Sequence, residues 1–206
     1  MQTMALRMRR KGIQVFIIAP LKGHEFYRAA RNVGGEFIQI SPASKNCINI
    51  MEIRKVDNSV NELLDGPTLD ASALAGKIQR LHIFFSLLIP DMSHEEKQLL
   101  DEALIKTYAR KGITHKNESL TDPQHPEQYK KMPILEDVYN VLLESEDTKR
   151  LAHILNRLVH GSASSFNQQT NVDLTNKYTV LDISELTGSS DLLTVGMFVA
   201  LDYVWD

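Results

Sequence analysis

The residues that could do chemistry are few and scattered. His24-Glu25 follows an apolar run, Val15-Phe16-Ile17-Ile18. Open α/β sheets bind ligands beyond the carboxyl ends of their strands, so a polar pair there could form a site. Glu25 would equally favour the N-terminus of a following helix. His115, Asp122, His125 and Glu127 could hold a metal, but their spacing fits no established ligand pattern and Pro123 and Pro126 mark the stretch as a solvated loop. His153 and His160 lie two helical turns apart and read as helix-surface histidines. Cys47 is the single cysteine, which excludes an internal disulfide and a cysteine cage. It has no evident activating partner and reads as a small buried residue. Ser162, Ser164 and Ser165 lack a Gly-x-Ser-x-Gly elbow.

Phosphoryl chemistry has no local signature. A phosphate loop needs Gly-x-x-x-x-Gly-Lys-Ser/Thr after a strand, so that backbone N–H groups, a cation and a metal-binding hydroxyl converge. The nearest match, Gly76-Lys77, has Ala71 for the first Gly and Ile78 for the hydroxyl, inside a helical pattern. Val180-Leu181-Asp182 resembles a metal-binding strand end, but Ile183 stands where a second acid would be. The run Ser165-Phe166-Asn167-Gln168-Gln169-Thr170-Asn171-Val172-Asp173-Leu174 is different. Asn and Asp suit turns, whereas adjacent Gln residues do not follow from turn chemistry, so a functional contact is one reading and a loop the other.

The elements that must position these residues follow from periodicity. Gln2–Lys11 reads as a helix with Met1, Met4, Ala5 and Met8 on one face, closed by cations and Gly12. Val15–Ile18 reads as a strand buried on both faces, Phe26–Val33 as a helix, and Phe37–Ile40 as a strand before a Ser41-Pro42 turn. From about Asp70 to His160 the pattern is helical. Ala71–Leu88 is apolar on more than one side and is expected to be deeply buried. Ser93 with Glu96 forms a capping box for a helix with Leu99, Leu100, Ala103, Leu104 and Tyr108 inward. A helix near Pro133 turns Ile134, Leu135, Val138, Val141 and Leu142 inward, and one over 147–159 does so with Leu151, Ile154, Leu155 and Leu158. Tyr178–Ile183 is a strand and Asp191–Trp205 a helix. The expected fold class is α/β with a helical block: 1–65 as the first part of the frame, 66–160 as the block, 161–206 as the return.

The 206 residues are 43% hydrophobic and 24% charged, ordinary globular usage that excludes wholesale disorder and fibrous repeats. The longest apolar run, around Ile83–Ile89, is too short for a membrane span. Met1–Lys11 has no apolar stretch leading to a cleavage site, which points to a cytoplasmic chain. Charge is uneven: residues 1–31 hold seven Lys or Arg against Glu25 alone, although the whole chain is −3. A basic end could meet phosphate or acidic membrane, or be a solvated helix face. The chain begins within a helix and lacks a helix stop at Asp206, as expected of an internal portion of something longer.

Several blocks, in order, resemble one family. Gly34-Gly35-Glu36-Phe37-Ile38-Gln39-Ile40-Ser41-Pro42 with Asn46-Cys47-Ile48-Asn49, Met132-Pro133-Ile134-Leu135-Glu136-Asp137-Val138-Tyr139, Gly161-Ser162 through Phe166–Leu174, Leu181-Asp182-Ile183-Ser184, and Gly196-Met197 to Asp202-Tyr203-Val204-Trp205 resemble the conjugal-transfer ATPases, the VirB-type motors of type IV secretion systems that include the TraE-like and TraC-like proteins. The resemblance implies a partial RecA-like P-loop NTPase core with a large all-helical insertion, lying between the family's phosphate loop and its magnesium-binding strand. For the full-length family it implies ATP and magnesium, and for this chain alone neither. It implies other copies of the motor subunit and secretion-channel proteins as partners, transferred DNA indirectly, and a cytoplasmic place at the inner face of the membrane. Many members carry an acidic Asp-Pro-Glu-type turn where this chain reads Ala19-Pro20-Leu21-Lys22-Gly23, with Glu25 the nearest acid. Candidate nucleotide-proximal or subunit-contact residues are Glu25, Asn167, Gln168, Gln169, Asn171 and Asp173, with no catalytic residue and no metal ligand assigned. The alternative reading is a non-catalytic assembly module that binds intact motor subunits, and a third is an unrelated small enzyme using His24-Glu25 or the loop histidines.

Overall fold

A computed structural model of the chain describes residues 2–42, 44–54, 72–173 and 175–205. Met1, Asp70-Ala71 at the expected helix start, the expected boundary between 65 and 66, Leu174 and Asp206 lie outside them. The chain divides into two compact units, Met1–Asn49 with Arg157–Trp205, and Ile50–Asn156.

The first unit is α/β. It contains α1 (Gln2–Arg10), β1 (Val15–Ala19), α2 (His24–Asn32), β2 (Glu36–Gln39), β3 (Tyr178–Asp182) and α7 (Ser190–Trp205). The strands form one parallel sheet in the order β1-β3-β2. Side chains alternate along a strand. Val15 and Ile17 of β1 therefore share a face with their register partners Tyr178 and Val180 of β3. Ala5 of α1 and Ala30 of α2 close on that face, with Leu6, Met8, Phe26, Val33 and Phe37 around them. Gly12 ends α1 at φ +80°, a left-handed conformation that costs glycine nothing.

The expectation that β1 is buried on both faces is corrected. Its residues alternate buried and half-buried, while every residue of β3 is buried. Among the described residues β1 pairs only with β3, so it is an edge, and the doubly covered position belongs to the strand that arrives last in the chain.

The second unit is helical: α3 (Ala73–Leu88), α4 (His94–Arg110), α5 (Leu135–Leu142) and the first part of α6 (Lys149–Val159). The Ser93–Glu96 capping box forms as expected, with Ser93 Oγ accepting from the Glu96 N–H at 3.1 Å and Glu96 Oε2 accepting from the Ser93 N–H at 2.9 Å. Arg150 then reaches Glu96 at 2.7 Å and Asp91 at 2.6 Å. Tyr108, fully buried on α4, donates its hydroxyl to the Met51 carbonyl at 2.5 Å. The expectation of burial on more than one side of α3 is also corrected. Leu74, Ile78, Leu81 and Phe85 form one buried stripe at helical spacing, whereas Ile83 and Leu87 are 54% and 41% exposed.

Candidate functional site

The carboxyl ends of the three strands meet at Asp182. It is the register partner of Ala19 on one side and Gln39 on the other. Its side chain is 3% exposed, and Oδ1 accepts the Ser184 N–H at 3.0 Å. After β1 the chain turns through Pro20–Gly23 into α2. Lys22 takes φ +54° in that turn, the one non-glycine with positive φ among the described residues. Gly23 then approaches so closely that a β-carbon on it would lie 2.0 Å from Asp182 Oδ1. The Asp182 side chain is thus seated beneath the entry of α2.

Glu185 stands beyond Asp182, and its Oε1 accepts from Gln39 Nε2 at 2.9 Å. This contact ties the ends of β2 and β3. Neither residue stands out in the sequence, because 146 positions separate them. Glu25 is exposed on the first turn of α2, 3.9 Å from Lys22 Nζ, and His24 beside it is exposed too. The acids Glu25, Asp182 and Glu185 therefore occupy one edge with Lys22.

The run after α6 forms a different feature of the same unit. Asn171 brackets residues 45–47: its Oδ1 accepts the Cys47 N–H at 2.8 Å, its Nδ2 donates to the Lys45 carbonyl at 2.6 Å, and its own N–H donates to the Cys47 carbonyl at 3.2 Å. Thr170 Oγ1 accepts the Asn49 N–H at 2.9 Å. Gln169 Oε1 is 3.5 Å from Asn49 Nδ2, and the Gln168 carbonyl accepts from the Cys47 thiol at 3.3 Å. Ser165 Oγ donates to the Ser41 carbonyl at 2.8 Å. Asn167 reaches the Val159 carbonyl at 3.4 Å. Asp173 Oδ1 accepts the Thr175 N–H at 2.8 Å, which holds its carboxyl below the usual range. The density of neutral amides and hydroxyls follows from this geometry. Residues 44–49 run without strand partners, so their backbone groups need side-chain partners instead. Cys47 is 2% exposed under this clasp.

The loop histidines do not converge. His115 Nδ1 is 3.2 Å from Ser72 Oγ, and His125 Nδ1 is 3.8 Å from Asp122. Asp122 accepts the Gln124 N–H, which with His125 lowers its pKa. No group of three His, Cys, Asp or Glu is assembled for a metal among the described residues. His153 and His160 are exposed.

No protein-family model matches the chain, and no curated protein matches it. Among solved structures, that of VirB4 of Thermoanaerobacter pseudethanolicus superposes with a TM-score of 0.79 at 25% identity, over 99% of this chain and 72% of that one. The resemblance to VirB-type proteins read from the sequence blocks is thereby supported across nearly the whole chain.

Proposed function

We propose, from a fold shared with VirB4 over 99% of its residues, that this chain is a segment of a type IV secretion motor ATPase of the conjugal-transfer, TraE-like kind. That superposition is the observation that carries the reading. On it, 1–65 and 161–206 belong to a RecA-like P-loop NTPase core, and 66–160 is a helical insertion.

ATP and magnesium serve such a motor as a whole. The edge of this sheet does not fit them by itself. Among the described residues the acids there do not assemble into a metal-binding group, and phosphoryl transfer needs converging cations and N–H donors, whereas Lys22 stands alone beside Glu25 in this turn. The phosphate cradle and the magnesium acid are therefore assigned to other segments of the motor. Its own residues take supporting roles. Asp182 and Gly23 fix the turn that carries Glu25, which is offered to a neighbouring subunit. The loop bearing Asn167, Gln168, Gln169, Asn171 and Asp173 is held in shape for contact with neighbouring subunits. Other motor subunits and channel proteins are the partners, with DNA engaged indirectly. No helix among the described residues is long and apolar enough to cross a membrane, and the motor is assigned to the cytoplasmic side, at the membrane's inner face.

The test reads the coding DNA on both sides and assays ATP hydrolysis by the 206-residue chain. A frame that continues into Gly-x-x-x-x-Gly-Lys-Ser/Thr upstream and an apolar strand ending Asp-Glu downstream, with no turnover by the chain alone, is expected. Stop codons on both sides, or turnover that survives Glu25→Gln and Asp182→Asn, would overturn the reading.

A further inference from the structure

The opposite end of the sheet carries a feature the motor reading does not use. α1 runs into β1, so its last turn lies at the amino ends of the strands. Along α1, from Thr3 in its first turn to Arg10 in its last, Thr3, Leu6, Arg7, Arg9, Arg10 and Val33 line a surface pocket of about 550 Å³, within the size range of small-molecule sites. Thr3, Arg7 and Arg10 follow one another at helical spacing along a face of α1.

No carboxylate lines this pocket. Neither Arg7 nor Arg10 has a hydrogen-bond or ion-pair partner among the described residues. Arg9 is anchored, with Nη2 donating to the Val33 carbonyl at 3.1 Å, but its buried Nε has no partner. The helix dipole accounts for cations in the last turn of α1. It does not account for gathering like charges around one concavity, which is unfavourable without an anion.

We propose that this pocket is a binding site for a phosphate group. Guanidinium forks match phosphate oxygens in paired, charge-assisted hydrogen bonds. Thr3 adds a hydroxyl donor, and Leu6 with Val33 forms an apolar wall for the organic part of the ligand. A soluble phosphate compound and an anionic lipid headgroup share this chemistry.

The test titrates the full chain with inorganic phosphate by calorimetry at low salt, and sediments it with phosphatidylglycerol or phosphatidylcholine vesicles. Saturable phosphate binding is expected, weakened at least about tenfold in Arg7→Gln/Arg10→Gln, a loss of about 1.4 kcal/mol. Arg28→Gln, which removes one exposed charge from α2, should leave it within about twofold. Thermal melts establish that each variant is folded. Co-sedimentation with phosphatidylglycerol alone, lost in the double variant, identifies a headgroup. Phosphate binding without vesicle binding identifies a soluble compound. Absence of both overturns the site. So does wild-type affinity in Arg7→Lys/Arg10→Lys, since an unspecific basic patch needs only charge.

Discussion

The Asp182 carboxylate occupies the space that a β-carbon on Gly23 would need, 2.0 Å from Oδ1 and 2.4 Å from Oδ2. Two residues far apart in the chain are thus fitted to each other at the carboxyl end of the sheet. The fit decides the sign of a substitution. Gly23 has φ −52° and ψ −36°, a helical conformation in which alanine would ordinarily stabilise through the unfolded chain.

Gly23→Ala is expected to destabilise by about 1–3 kcal/mol, as overpacking of a closed site does. In an Asp182→Ala background the same change should be neutral or stabilising. Urea unfolding midpoints of the four proteins give the coupling. Equal effects in both backgrounds would mean that the turn relaxes away from the carboxylate.

The clasp around Cys47 makes a second prediction. Asn171→Ala removes the acceptor of the Cys47 N–H and the donor to the Lys45 carbonyl. A loss of about 1–3 kcal/mol is expected, because the N–H of buried Cys47 loses its acceptor while the bond to the exposed Lys45 carbonyl counts for less. Cys47 should then react faster with a thiol reagent. Unchanged labelling would show that other contacts alone shield the thiol.

In the helical unit, the Ser93 backbone N–H and then the Arg150 guanidinium hold the Glu96 carboxyl below the usual range. A lowered folded pKa contributes stability that is present above the unfolded value of about 4.3 and is lost as pH falls through the folded value. Glu96→Gln should cost roughly 1 kcal/mol at neutral pH. It should also flatten the decline between pH 5 and 3 (about 4.3 lies within this window). Parallel acid limbs for the two proteins would assign that decline to other groups.

The sheet edge makes a fourth prediction. β1 is strongly apolar and, among the described residues, pairs on one side only. Unpaired edges template further pairing, so the isolated chain is expected to self-associate. Ile13→Lys, at an exposed position just before the strand, should shift light-scattering mass toward the monomer. A sharp monomer for the unaltered chain would show that the β1 edge does not template pairing.

Local chemistry by itself determined the helices with clear stripes and caps. Ser93 and Glu96 are three residues apart, and their box is satisfied within one turn. Gly12 likewise ends α1 for reasons local to the backbone. The order of blocks also carried the family resemblance, since segment order survives substitution between the blocks. Tertiary structure decided what depends on distant partners. It put β3 rather than β1 in the middle of the sheet, because an apolar run does not state which strand receives two neighbours. It set Asp182 beneath Gly23 and joined Gln39 to Glu185, contacts between residues well over a hundred positions apart. It gave the amide-rich loop its purpose as well, because the backbone groups that Asn171 and Thr170 satisfy belong to a segment more than a hundred residues earlier. Hydrogen-bonding capacity is written in side-chain type, but the partner that uses it is fixed only when the chain closes on itself.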